Sequence, residues 1–195
     1  MKELIFATNN AHKLTEVRAL FKGTGVEVLS LSDVNCVHET VEDGKTFYEN
    51  AAKKAREIAA ITGKPAVADD TGLCVAALDG APGVYSARFA PEGERCEKLL
   101  QVMEGKEDRT AYFMTAAVLV FPDGRELSSV GRVEGEITLE KRGDNHFGYD
   151  PVFYSVEAGK TFAEMNMDEK NHLSHRGRAF SALLEKMKKE NLLEE

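Results

Sequence analysis

Two adjacent carboxylates, Asp69 and Asp70, follow an apolar run, Ala66-Val67-Ala68, and precede Thr71-Gly72 and a second apolar run, Leu73-Cys74-Val75-Ala76. Carboxylates at a strand end are costly unless a cation or good donors are at hand. Consecutive side chains of an extended backbone point to opposite faces. Either one carboxylate faces a site while the other braces it, or the chain bends there and both converge. A charged turn is the plainest reading of a bare Asp-Asp pair; the residues around it in the chain point to more. Thr8-Asn9-Asn10 with Lys13 follows a short apolar run and opens a helical pattern, so free backbone N–H groups, a positive dipole end and a lysine meet in one turn, which suits phosphate. Plain N-capping is the alternative there. Phe147 and Tyr149 lie in a glycine-bearing loop, where they either plug the edge of the core or offer aromatic faces on which a nucleobase stacks. Lys170, His175 and Arg176 gather at the start of the last helix, where Lys and Arg oppose the helix dipole, a placement that points to another use. His172 and His175 have the spacing for a shared metal, but no third nitrogen or sulfur ligand is near them in sequence.

The elements that must carry these residues are legible from periodicity and turn chemistry. Leu4–Ala7 reads as a buried strand, and Leu14, Val17, Leu20 and Phe21 recur at helical spacing after it. Val26–Leu29 reads as a second strand, and Ser32–Thr40 as a loop. Thr46, with Glu49 at capping-box spacing, starts a helix that runs to about Thr62 and stops at Gly63 and Pro65. Glu42 lies just before it; Lys53 and Lys54 sit within it. The Asp pair is expected to close one short strand, with Thr71-Gly72 turning the chain into another. Gly80-Ala81-Pro82-Gly83 is a turn cluster, after which Arg88 is either a surface residue or a brace for Asp69. Glu94–Met103 reads as a helix. Ala111–Phe121 and Glu126–Thr138 flank Pro122-Asp123-Gly124, a strong hairpin signal. Lys141–Asp150 is a loop from which Pro151-Val152-Phe153 resumes a strand. Thr161–Glu164 is a short capping-box start, and the last helix spans about Ser174–Asn191. Helices alternating with strands, plus a long hairpin, imply an α/β domain with a mixed sheet and flanking helices, residues 1–195 forming a single domain.

At 195 residues, 43% hydrophobic and 30% charged, the composition is that of an ordinary globular protein with an ample core. No apolar segment approaches the length of a membrane span, and the N-terminus does not read as a signal peptide. The three cysteines, Cys36, Cys74 and Cys96, are odd in number and widely spaced, pointing to reduced thiols and a cytoplasmic protein rather than a disulfide or zinc framework. The net charge of −8 argues against coating nucleic acid but allows a small anionic ligand in a locally positive pocket.

Read in full, ADDTGL with GAPGVYSARF resembles the inosine triphosphate pyrophosphatase family, the XTP/dITP diphosphatases, and four further blocks match in order: TNNAHK, EDGKTFYENAAKKA, FGYDPVF and EKNHLSHRG. The resemblance implies a two-lobed fold with a nucleotide cleft between the lobes, a homodimer, and hydrolysis of non-canonical purine nucleoside triphosphates (XTP, ITP, dITP) to the monophosphate and pyrophosphate. It implies that Thr8, Asn9, Asn10, Lys13 and Lys54 bind the phosphates and that Glu42 and Asp70 hold Mg²⁺. Asp70, joined by Asp69, takes the proton of the attacking water, and Thr71, Phe147, Gly148, Tyr149, Asp150, Lys170, His175 and Arg176 bind the substrate. Arg176 is donor-only and His175 can donate, which suits a purine with a carbonyl at C6. The chain departs from the family where Asp144-Asn145-His146 stands in place of glycines, which makes that backbone less free and brings His146 forward as a ligand contact. A Maf-type nucleotide pyrophosphatase fits less well, since it predicts a different first block and no SHRG-like block. A nucleotide sensor without catalysis would not need so many carboxylates beside a polyanion.

Overall fold

The computed structural model describes residues 1–193. Seven strands, β1 (Glu3–Phe6), β2 (Glu27–Leu29), β3 (Ala66–Val75), β4 (Thr110–Val120), β5 (Glu126–Ile137), β6 (Phe153–Ser155) and β7 (Lys160–Thr161), form one sheet in the order β2-β1-β3-β4-β5-β6-β7. β1 pairs in parallel with β2 and β3, whereas β6 pairs antiparallel with β5 and β7, so the sheet is mixed as expected. Among the described residues five α-helices accompany it: α1 (Ala11–Phe21), α2 (Phe47–Thr62), α3 (Arg95–Val102), α4 (Met167–Leu173) and α5 (His175–Lys189). None of the described helices is long and apolar enough to cross a membrane.

The chain divides into two units: residues 1–70, 115–131 and 176–195 make the first, and residues 71–114 and 132–175 the second. In the first unit, side-chain alternation along the strands builds two cores. Leu4, Phe6 and Val67 pack with Val17 and Phe21 of α1 and with Phe180, Leu183 and Met187 of α5. Ile5, Ala7, Ala66 and Ala68 pack with Ala51, Ala52, Ala55 and Ile58 of α2. Period-two strands therefore serve one helical layer on each face. The alanine stripe of α2 lets that helix lie close to the strands. Its start is set by Thr46, whose side chain accepts from Glu49 N–H, and its end by Gly63 in the left-handed conformation. The capping box is displaced by one residue, because the Glu49 carboxylate takes the Lys45 N–H rather than that of Thr46.

The second unit has its own core around Leu73, Val75, Leu99, Met103, Phe113, Val133, Phe153 and Phe162. Phe113 is its centre: the rings of Phe153, Phe162 and His175 lie 4.6, 5.9 and 4.4 Å from it. Two sequence expectations are corrected. Thr71-Gly72 does not turn the chain: β3 is continuous through Asp69, Asp70, Thr71 and Gly72, because partners for the polar residues let them stay in an extended, paired backbone. Pro151 and Val152 belong to a 3-10 turn, Asp150–Val152, and the strand starts at Phe153; Pro151 has no N–H to give a ladder. Lys170, which precedes the last helix as expected, lies in a short helix that the sequence reading did not assign, α4, which Asn166 and Glu169 open with a reciprocal capping box.

Candidate functional site

The continuity of β3 decides between the two arrangements left open for the carboxylates: Asp69 and Asp70 point to opposite faces. Asp69 faces α1 and α5. Its Oδ1 accepts from Lys13 Nζ at 3.1 Å and its Oδ2 from Arg176 Nε at 3.0 Å. Arg176 is almost wholly buried and also binds Glu16 of α1, Nη1 to Oε2 2.5 Å. Burial alone would push the Asp69 carboxyl up, but Lys13, Arg176 and Lys54 outweigh it and hold the group well below the usual carboxylate range. The brace for Asp69 is therefore this pair of cations, while the Arg88 guanidinium lies over the Tyr85 ring.

Asp70 faces α2, and its environment acts the other way. Burial pushes its carboxyl up to about 6, and the Glu42 carboxylate adds to the rise; Lys54, Lys13 and a hydrogen bond from Asn50 offset only part of it. That bond, Asn50 Nδ2 to Asp70 Oδ2, is 3.1 Å, and the other end of the Asn50 amide accepts the Gly44 N–H at 2.7 Å. Glu42 is held by Lys54, Nζ to Oε2 3.0 Å. Two neighbouring carboxylates thus sit in opposite electrostatic regimes, one locked as an anion and one poised to exchange a proton near neutrality.

In the turn before α1, Asn10 caps the helix by accepting the Lys13 N–H, and Thr8 Oγ1 accepts the Asn10 N–H; Asn9 is exposed. Capping therefore accounts for the Asn10 side-chain oxygen, and Lys13 is the full charge the turn contributes. Burial draws the Lys13 ammonium below the ordinary lysine value against the pull of Asp69, with Arg176 and Lys54 adding to the fall. Lys13 and Arg176 both meet Asp69, and Lys54 meets Glu42, so each cation has a carboxylate partner.

Of the remaining sequence-predicted residues, the second unit holds Thr71, Phe147, Gly148, Tyr149, Asp150, Lys170 and His175. Lys170 Nζ binds Asp150 Oδ2 at 2.6 Å, both side chains almost wholly buried, and lies 4.9 Å from the Phe147 ring centroid. Gly148 is in the left-handed conformation and its carbonyl faces Cys96 Sγ. Tyr149 takes the core-plugging alternative: its ring is buried and its hydroxyl donates to the Ser86 carbonyl at 2.7 Å. Burial pushes that phenol far above its usual value. His175 is likewise buried, its ring stacked on Phe113. The departure from the glycine pattern has a local purpose, since Asn145 donates to Asp150 Oδ2 at 3.1 Å and accepts the Phe147 N–H at 3.0 Å. His146 is exposed.

Residues 4–186 match the sequence model of the Ham1 family. The chain belongs to the Ham1 family. All five blocks read in the sequence fall within the matched span. Among Ham1-family relatives, a protein of Desulfotalea psychrophila named dITP/XTP pyrophosphatase is 48% identical over 184 residues, covering 92% of this chain and 82% of that one. One of the same name from Thermus thermophilus is 47% identical, covering 95% and 92%. The solved Ham1 protein of Coxiella burnetii superposes with a TM-score of 0.87 at 40% identity, covering 97% of this chain and all of that one. The Ham1 protein of Staphylococcus aureus gives 0.86 at 36%, with the same coverage.

Sequence reading missed two residues of this polar cluster, Glu16 and Asn50. Both left a signal: each is a polar residue beside or within the apolar stripe of its helix, next to Val17 and Ala51 respectively, and both are buried. A buried polar side chain demands a partner, and here the partners are Arg176 and Asp70.

Proposed function

We propose that the protein hydrolyses non-canonical purine nucleoside triphosphates, XTP, ITP and dITP, to the monophosphate and pyrophosphate, and so clears the nucleotide pool of bases that would be misincorporated. The observation that carries this reading is the adjacent pair Asp69 and Asp70, held in opposite charge regimes with Lys13, Lys54 and Arg176 around them. The substrate class follows the relatives, which are named for dITP and XTP. The products require the α–β phosphoanhydride to break: water adds to phosphorus, its proton passes to a base, and pyrophosphate leaves. Asp70 is assigned as the base, because Asp69 is already committed to Lys13 and Arg176. Asp69 stays ionised and fixes Lys13 and Arg176. Lys13 and Lys54 take phosphate oxygens, and Phe147, Lys170, His175 and Arg176 are assigned to the purine.

Glu42 and Asp70 fit Mg²⁺ as oxygen donors whose mutual repulsion a cation would relieve. Mg²⁺ keeps several waters and takes substrate phosphates into its shell, so one or two protein carboxylates are enough to hold it. When bound, Mg²⁺ supplies charge neutralisation at the phosphates. A homodimer and a cytoplasmic location complete the reading, the first open to sedimentation analysis.

The decisive experiment is a screen of nucleoside triphosphates for pyrophosphate release with Mg²⁺. dITP and XTP should be cleaved far faster than ATP and GTP, and inorganic phosphate should not be the primary product. Equal rates on ATP and dITP, or no release from any of them, would reject the proposal.

A further inference from the structure

Glu42 lies in a segment, residues 36–44, that has no regular secondary structure. Glu42 belongs to no strand ladder or helix, and apolar packing contributes little to holding the segment, since Val37 is fully exposed and Val41 largely so. The segment is instead pinned along one face of α2. Asn50, Lys53, Lys54 and Glu57 stand at i, i+3, i+4 and i+7, one stripe of the helix surface, and meet the segment in reverse order. Asn50 takes the Gly44 N–H at 2.7 Å. Lys53 Nζ donates to the Val41 carbonyl at 2.7 Å and to Asp43 at 2.8 Å, bracketing Glu42 on both sides. Lys54 pairs with Glu42 itself. At the far end a single oxygen of Glu57 accepts the Thr40 hydroxyl at 2.6 Å and lies 2.6 Å from His38 Nε2. The fit is close: a Cβ on Gly44 would come within 2.6 Å of Asn50 Oδ1 and 2.8 Å of Glu49 Cβ.

We infer that Glu57 and Lys53 are positioning residues that set the affinity of Glu42 for the divalent cation by holding its segment on α2. This rests on the Mg²⁺ role proposed for Glu42. Neither residue needs to touch substrate or metal. Both act as the outer partners of a ligand do, by restricting where the ligand can point. Both lie on partly exposed ion pairs that contribute little to global stability, so their removal should leave the fold intact while loosening the segment.

The test uses the whole chain with Glu57→Ala, and Lys53→Ala as an independent second variant. Mg²⁺ binding is followed by calorimetry without nucleotide, and the half-saturating Mg²⁺ concentration by pyrophosphate release from dITP. Each variant should bind Mg²⁺ roughly tenfold more weakly, with kcat at saturating Mg²⁺ and the melting temperature near those of the parent. Glu57→Gln, which can still accept from Thr40, should recover part of the loss. In a Glu42→Gln background Glu57→Ala should weaken Mg²⁺ no further, because the effect passes through Glu42. Unchanged Mg²⁺ affinity in both single variants overturns the inference, as does a tenfold loss that persists in the Glu42→Gln background. A parent protein that binds no Mg²⁺ overturns the magnesium reading and the inference with it.

Discussion

Asp69 and Asp70 are chemically identical neighbours on which isosteric substitution should act with opposite sign. The folded state raises Asp70 from its ordinary 3.8 to about 6. The folded protein therefore binds the proton more tightly than the unfolded chain, and stability falls as pH rises between about 4 and 6. That rise corresponds to about 3 kcal/mol, so at pH 7.5 with a chelator present Asp70→Asn should melt higher than the parent while releasing no pyrophosphate. Thermal melts across pH 4–8 check this: a variant that melts lower, or keeps turnover, contradicts the assignment. Asp69 is depressed, so its contribution is present above its unfolded value and is lost only as pH falls below it. Asp69→Asn leaves the buried Arg176 and Lys13 short of a counter-charge and should cost about 3 kcal/mol, read as a lower midpoint in urea. Arg176→Ala exposes the same network from the other side. Because a guanidinium donor faces a 6-carbonyl favourably and a 6-amino group unfavourably, it should narrow the dITP/dATP ratio in kcat/KM while leaving dITP/dGTP almost unchanged. An unchanged dITP/dATP ratio would confine Arg176 to bracing Asp69 and Glu16.

Among the elements, α2 and the loop before β6 carry most of the consequence. α2 meets the strands through alanines and meets the Glu42 segment through polar side chains, so its two faces do separate work. Gly44 sits at the tightest point of the second contact. Gly44→Ala should push the segment off Asn50, lower the melting temperature, and reduce turnover more than a surface substitution does. In the loop, Tyr149 serves the core and Phe147 lies beside Lys170. Tyr149→Phe removes one buried hydrogen bond, strands the Ser86 carbonyl, and should cost about 1 kcal/mol without altering the ranking of nucleotides. A changed ranking would return Tyr149 to the base-binding set.

At the scale of the molecule, each unit assembles its own share of the polar machinery. The first gathers Glu16, Lys13, Asp69 and Arg176 on one face of β3, and Glu42, Asn50, Lys54 and Asp70 on the other. The second gathers Asn145, Phe147, Asp150 and Lys170 beside its own aromatic core. Neither set could be held by local structure alone. Charges this deeply buried persist only when paired by rigid elements.

Sequence alone was enough for what depends on near neighbours: the caps of α2 at Thr46 and Gly63, the β4–β5 hairpin turn at Pro122-Asp123-Gly124, and the apolar stripe of α5. The ordered motifs also carried the family. What it misread or left open depended on distant partners. Asp-Asp-Thr-Gly has the composition of a turn, and it stays in a strand because Lys13 and Arg176, 56 and 107 residues from Asp69, reach one face, while Asn50 reaches the other. Tyr149 in a glycine-bearing loop could have faced a base or the core, and the Ser86 carbonyl, 63 residues away, decided for the core. Propensity and periodicity are written within a few residues, whereas the proton affinity of a carboxylate is set by whichever charges and donors the fold brings within a few ångströms of it.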